Sequence, residues 1–317
     1  MTADGITGKE TGMYESYQSF ASVYDEFMDG TDYQQTADKI REIILRYGLS
    51  RPADLRTGES EKRDVLLAAE KNLVVDLGCG TGKLTEILAD MGFDVMGIDL
   101  SEEMLSMALS RRDRHRHRTL YLCQDMREFE LFGTAGTFVS IGDSVNYLLE
   151  NEDMDKLFGR VNTFLYPGGI FVFDFKTLHL YRDVIGDSTI AEDREECSFI
   201  WENWFDAETR INEYDLTLFI RDKDSDAGDN IFRKYQEIHR QRGYTLEEMK
   251  SFADRAGLVW ITQMDSDTMG PVRPDSERIL CVVREKGKKE PPVIEGTVND
   301  PVKGQADLRT EGGADDH

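Results

Sequence analysis

From residue 72 onward, short apolar runs alternate with longer amphipathic stretches. The runs at about 72–77, 94–99, 119–124, 137–141 and 169–174 are rich in Val, Ile, Leu and Phe, which predicts buried strands. The intervening stretches space their apolar residues three and four apart, which predicts helices. Strand and helix in alternation imply a parallel sheet covered by helices on both faces. Ligands of such sheets bind at the carboxyl ends of the strands, where Asp76, Asp99 and Asp125 all fall.

The flanks divide the chain further. Residues 1–13 are polar and are expected to be disordered. Residues 14–50 read as a helical cap, with Ile40, Ile43, Ile44 and Tyr47 on one apolar face, and 51–71 as a polar surface extension. The core then runs over 72–194 and resumes over 243–286. Between these parts, 195–242 breaks the pattern: Tyr214, Leu216, Leu218 and Ile220 alternate at period two, which predicts an antiparallel β insertion of three strands, a lid. Thr245 and Glu248 are spaced as a capping box for the helix that follows. Residues 287–317 are dominated by Lys, Pro, Gly and acids and are expected to be a disordered tail.

The densest chemistry lies where the first strand ends. Val74-Val75-Asp76-Leu77-Gly78-Cys79-Gly80-Thr81-Gly82 leads into a helical stretch at Lys83. Glycines without Cβ atoms let backbone lie against a ligand, and a helix start offers free N–H groups. Asp99 ends the second strand 99 − 78 = 21 residues after the first glycine. That is about the ~20-residue offset at which nucleotide-binding folds place a carboxylate for ribose hydroxyls. A dinucleotide fingerprint would need a third glycine where Lys83 stands, which disfavours a nicotinamide oxidoreductase.

At these residues the chain resembles the class I S-adenosylmethionine-dependent methyltransferases, whose first motif looks like V-V-D-L-G-C-G-T-G; all nine positions match. Gly97-Ile98-Asp99-Leu100-Ser101, Gln124-Asp125-Met126, Phe138-Val139-Ser140-Ile141 and Pro167 to Phe173 resemble the family's second to fifth strands in order. The lead segment Tyr17 to Met28 is similar to a bacterial branch with a Y-D-x-x-M signature, and the insertion after the fifth strand resembles that of amino-sugar N-methyltransferases. The resemblance implies a Rossmann-like α/β sheet in which the last strand pair is antiparallel, with S-adenosyl-L-methionine as cofactor. It implies that Gly78, Gly80 and Gly82 cradle the cofactor and that Asp76 faces its ammonium. Asp99 with Leu100 would meet the ribose, Asp125 and Met126 the adenine. Ser140 would sit beside the methyl group, and Tyr24 would fold over the pocket. Asp143 and Asn146, just past the fourth strand, would orient an acceptor. No residue identifies itself as a base; Glu237 and His239, on one strand face, are candidates beside Asp143.

Charge narrows the acceptor. Lys and Arg number 38 against 62 Asp and Glu, a net charge of −24. Such a field repels phosphate backbones, which proteins bind largely through Lys and Arg, so nucleic acid is disfavoured. Arg111 to Arg118 is a basic run, but it closes a helix that points away from the strands' carboxyl ends and suits the helix dipole there. The four cysteines form no C-x-x-C pair, which predicts a reducing, cytoplasmic setting, no zinc site and no other metal. No apolar run approaches the ~20 residues that span a bilayer. The expected activity is methyl transfer to nitrogen or oxygen of a small molecule. The alternatives are an RNA or protein acceptor, or a non-catalytic S-adenosylmethionine-binding module.

Overall fold

A computed structural model describes residues 32–55, 65–115, 117–222 and 231–289. Tyr24, residues 1–13 and all but the first three residues of the expected tail 287–317 lie outside them. Helix α1 (Tyr33–Tyr47) comes first. The Asp32 carboxylate caps it by accepting the Gln35 N–H at 2.8 Å, and Ala37, Ile40, Ile43 and Ile44 are buried on one face. The stretch expected to be a polar extension instead closes in a helix, α2 (Val65–Asn72), which runs straight into β1 (Leu73–Leu77). Its Leu and Ala residues are strong helix formers, and the charged residues upstream mask that signal.

The core continues through α3 (Lys83–Asp90), β2 (Asp94–Asp99), α4 (Glu102–His115), β3 (Leu120–Cys123), β4 (Ala135–Ser140), α5 (Asn151–Phe164) and β5 (Leu165–Lys176). It closes with α6 (Leu246–Arg255), β10 (Val259–Asp265) and β11 (Arg278–Arg284). The seven strands are ordered β10-β11-β5-β4-β1-β2-β3. The neighbouring pairs from β5 to β3 are parallel, whereas β11 is antiparallel to both β5 and β10. β1 pairs with β2 on one side and β4 on the other, so the chain reverses its direction of travel there. That switch point leaves a crevice at the strand ends. Along β1 the side chains alternate between two apolar layers: Val75 and Leu77 join one, and Val74 joins the layer shared with α1 and α3. Both faces of the sheet are thereby covered.

A second sheet of order β6-β7-β8-β9 is built from β6 (Thr189–Asp193), β7 (Cys197–Asp206), β8 (Ile211–Arg221) and β9 (Phe232–Arg242). It has four strands rather than three and begins before residue 195. The added strand β6 is exposed at every position, so no alternation marks it in sequence. In β8, Tyr214, Leu216 and Leu218 are buried, as the period-two pattern predicts. Trp204 points outward at 58% exposure. The predicted capping box is present: Thr245 Oγ1 accepts the Glu248 N–H at 3.2 Å, and Glu248 accepts the Thr245 N–H at 2.9 Å.

Asn146 ties the two sheets together. Its amide donates to the Lys176 and Arg242 carbonyls at 3.0 and 2.8 Å, and its oxygen accepts the Lys176 N–H at 2.9 Å. It is fully buried, so its place is in the framework rather than against an acceptor.

Candidate functional site

A cavity of about 580 Å³ lies at the carboxyl ends of the parallel strands. The glycine loop forms its floor. Gly78, Gly80 and Gly82 all have positive φ, at 71°, 54° and 74°, a region that side chains other than glycine's rarely occupy. Their surroundings differ. A Cβ on Gly78 would meet Ser144 Oγ at 2.4 Å, and one on Gly82 would meet the Tyr121 hydroxyl at 2.6 Å and Ala108 Cβ at 2.9 Å. A Cβ on Gly80 would meet nothing within 4 Å and would project into open space. Gly78 and Gly80 line the cavity, whereas Gly82 does not. Gly82 lets the start of α3 close against Tyr121 and α4.

Two carboxylates flank this loop. Asp76 is 2% exposed and accepts a hydrogen bond from Thr85 Oγ1 at 2.6 Å. Burial pushes its carboxyl up to about 7, against the pull of that hydrogen bond. Asp99 Oδ2 accepts the Gly80 N–H at 2.7 Å, and Oδ1 accepts the Ser101 N–H at 2.9 Å. Burial raises this acid too, opposed by those backbone hydrogen bonds. Asp99 therefore braces the glycine loop while keeping lone pairs for a ligand. Among the described residues no lysine or arginine forms an ion pair with either acid. A buried and a half-buried carboxylate without a cation are costly, and a cationic ligand in the cavity would relieve that cost.

Leu100, Asp125 and Met126 also line the cavity. Asp125 is held by Arg127, whose Nε donates to both carboxylate oxygens at 3.0 Å. Burial would raise Asp125, but Arg127 outweighs it and keeps the acid below the usual carboxylate range. Ser140 does not reach the cavity: it is fully buried and donates to the Leu77 carbonyl at 2.9 Å, pinning β4 to β1. At the opening, Tyr33, Thr36, Lys39 and Ile40 of α1 contribute one wall.

Beyond β4 the chain turns through Gly142 and Asp143, with φ of 90° and 70°. Both N–H groups donate to Asp174 Oδ1, at 3.0 and 3.2 Å. Asp143 then pairs with Lys176 at 2.7 Å and Arg278 at 2.5 Å, and Arg278 reaches Asp174 at 3.1 Å. The left-handed backbone at Asp143 costs about 1–2 kcal/mol; these pairs hold it there. Burial pushes Asp143 up, but Lys176 and Arg278 outweigh it and the acid ends below its ordinary range. For Asp174 burial prevails over Arg278, and it stays raised. The four groups sum to zero charge and line the cavity together. Asp143 is thus engaged in a charge cluster around the buried Asp174, which makes it a poor proton acceptor. Sequence reasoning missed Asp174, Lys176 and Arg278.

The antiparallel sheet supplies the far wall through Trp201, Tyr214, Leu216, His239 and Gln241. The Tyr214 and Tyr181 hydroxyls both donate to Gln241 Oε1, at 2.5 and 2.7 Å. His239 is 4% exposed. Its Nε2 lies 3.3 Å from Glu237 Oε2, and its Nδ1 lies 3.4 Å from the Tyr147 hydroxyl. His239 and Tyr147 face the cavity; Glu237 stands behind and does not line it.

This geometry has known counterparts. Residues 74–169 match the family described as a methyltransferase domain. The chain is 33% identical over 243 residues to the "Putative methyltransferase YqeM" of Bacillus subtilis, covering 76% of this chain and 86% of that one. It is 31% identical over 164 residues to a dTDP-3-amino-3,4,6-trideoxy-alpha-D-glucopyranose N,N-dimethyltransferase of Streptomyces venezuelae, covering 51% of this chain and 58% of that one. A crystal structure of an S-adenosylmethionine-dependent methyltransferase from Clostridium acetobutylicum superposes with a TM-score of 0.70 at 26% identity, covering 86% of this chain and 99% of that one. The open space above Gly80 and the two unpaired acids fit a cation that carries a ribose. The chain belongs to the class I S-adenosylmethionine-dependent methyltransferases, and S-adenosylmethionine is its cofactor.

Proposed function

We propose that this enzyme methylates nitrogen or oxygen of a small molecule held between the glycine loop and the antiparallel sheet. The observation that carries this reading is the far wall: Trp201, Tyr214, His239 and Gln241 close over the cavity opposite the glycine loop. A space of about 580 Å³ suits a cofactor with a small acceptor. The likeness to an enzyme named for an amino sugar supports a small acceptor, and the net charge of −24 speaks against RNA. All four cysteines are free thiols, which supports a cytoplasmic setting. No described helix is long and apolar enough to cross a membrane.

When bound, the cofactor supplies an electrophilic methyl group on its sulfonium. Asp76 would face its ammonium, Asp99 with Leu100 its ribose, and Asp125 with Met126 its adenine. The sheet wall excludes water and aligns the acceptor, and positioning of this kind can supply much of the rate. A neutral amine or hydroxyl must also lose a proton. We assign its reception to His239, with the Tyr147 hydroxyl 3.4 Å from its Nδ1. His239→Gln should lower kcat about a hundredfold, on the scale of lost general-base catalysis. Cofactor affinity should stay within about twofold of wild type. An unchanged kcat excludes the assignment.

The raised Asp76 acid sets a pH dependence. Below about 7 the acid is protonated and cannot face an ammonium, so cofactor affinity should fall as pH drops from 8 to 6. Binding near pH 7 should release a proton, because the arriving cation restores the carboxylate. Calorimetry in two buffers of different ionisation enthalpy reads this release directly; proton uptake would contradict the role given to Asp76.

The acceptor class is tested by incubating the enzyme with methyl-labelled cofactor and a desalted cell extract split by size. Label in the small-molecule fraction, after that fraction is added back, supports the proposal. Label confined to RNA or protein would replace it.

A further inference from the structure

A second cluster of ligand-type side chains lies outside the cavity, where α3 ends and the chain leaves α4. His115 is the last residue of α4, and His117 follows two residues later. On a continuing helix, positions i and i+2 do not share a face. Here the helix stops at His115, which lets His117 turn back toward α3. Both rings then meet Asp90, the last residue of α3: His115 Nδ1 lies 3.2 Å from Oδ2, and His117 Nε2 lies 3.0 Å from Oδ1. One ligand atom from each residue falls within 4.8 Å of the others. None of the three lines the cofactor cavity.

The second layer behind His117 is specific. Its Nδ1 lies 2.7 Å from Glu86 Oε2, and Glu86, 1% exposed, accepts the Tyr121 hydroxyl at 2.7 Å on its other oxygen. A carboxylate on one ring nitrogen fixes the tautomer with the proton there and leaves the other nitrogen as a donor to a metal. With Nδ1 so occupied, Nε2 faces the Asp90 carboxylate, and that contact is favourable only if a cation, either a second proton or a metal ion, sits between them.

We propose that Asp90, His115 and His117 form a binding site for a divalent transition metal of the zinc type, with Glu86 orienting His117. Two imidazoles and a carboxylate suit zinc, copper or nickel better than calcium or magnesium. Tetrahedral bonds of about 2.0–2.1 Å place ligand atoms roughly 3.3 Å apart; here each imidazole lies 3.0 or 3.2 Å from its own Asp90 oxygen, and one ligand atom from each residue falls within 4.8 Å of the others. The half-exposed His115 and Asp90 leave room for water as a fourth ligand. A metal there would clamp the end of α3 to the segment entering β3. The cysteine spacing gives no hint of this site, because no cysteine takes part.

The full chain, purified without an affinity tag and freed of metal by a chelator, is titrated with Zn²⁺ by calorimetry and with Co²⁺ by visible absorption. One saturable equivalent is expected, with an upward shift in melting temperature. His115→Gln, His117→Gln and Asp90→Asn should each weaken binding at least tenfold and abolish the shift. His115→Gln and Asp90→Asn, at exposed side chains, should keep the metal-free melting temperature and the S-adenosylmethionine affinity of wild type. Absence of saturable binding, or binding unchanged by these three substitutions, overturns the proposal.

Discussion

Replacing Arg278, a half-buried cation, with leucine is expected to lower the free energy of unfolding by about 2–3 kcal/mol, between the scales for exposed and buried ion pairs. Arg278 is the cation that reaches both Asp143, at 2.5 Å, and Asp174, at 3.1 Å. Without it Asp143 keeps Lys176, but Asp174 keeps only the N–H groups of Gly142 and Asp143. Asp174 is already raised by burial, so the variant should protonate it. Its deficit should therefore shrink on acidification, because a raised acid gives its stabilisation below its folded pKa and loses it as pH rises through that value. Urea unfolding at pH 8 and pH 6 measures both the loss and its pH trend. A loss below about 1 kcal/mol, the level of an exposed pair, would mean the cluster does not hold the β4–β5–β11 junction.

Replacing Gly80 with leucine is expected to separate binding from folding. The position has a φ of 54° and open cavity where a Cβ would project. The backbone strain should cost about 1–2 kcal/mol of stability, with no clash at the Cβ. The new side chain would occupy the space over the glycine loop, and cofactor affinity should fall at least about a hundredfold, or roughly 2.7 kcal/mol. Gly78 would not make this separation, because its Cβ would strike Ser144 and disturb the fold as well.

The fold was legible where burial writes a period. The five parallel strands, the buried face of α1, the alternation in β8 and the Thr245–Glu248 capping box all follow from apolar spacing or cap chemistry. Strand β6 was not legible, because a strand exposed at every residue carries no alternation. Helix α2 was hidden because charged residues precede its Leu-Leu-Ala-Ala run. Within the site, the glycine loop with Asp76, Asp99, Leu100, Asp125 and Met126 converges on one cavity, since each lies at a strand end that topology brings together. Ser140 faces the neighbouring strand instead: a one-residue change of phase in β4 reverses its direction, and sequence does not fix that phase in a run buried on both faces. The charge cluster left a trace. Asp174 interrupts an otherwise apolar Phe-Val-Phe-Asp-Phe run, and an acid inside a buried strand requires a partner. That its partner is Arg278 depends on the pairing of β5 with β11, which joins residues a hundred positions apart.

The placement of the cofactor over Gly80 is tested most directly by isothermal titration of the full chain with S-adenosylmethionine, run in parallel on Gly80→Leu. The geometry predicts one micromolar site in the wild type, and at least about hundredfold weaker binding in a variant that still unfolds cooperatively. Equal affinity in the two proteins would contradict it, because the ligand would then bind somewhere other than over the glycine loop.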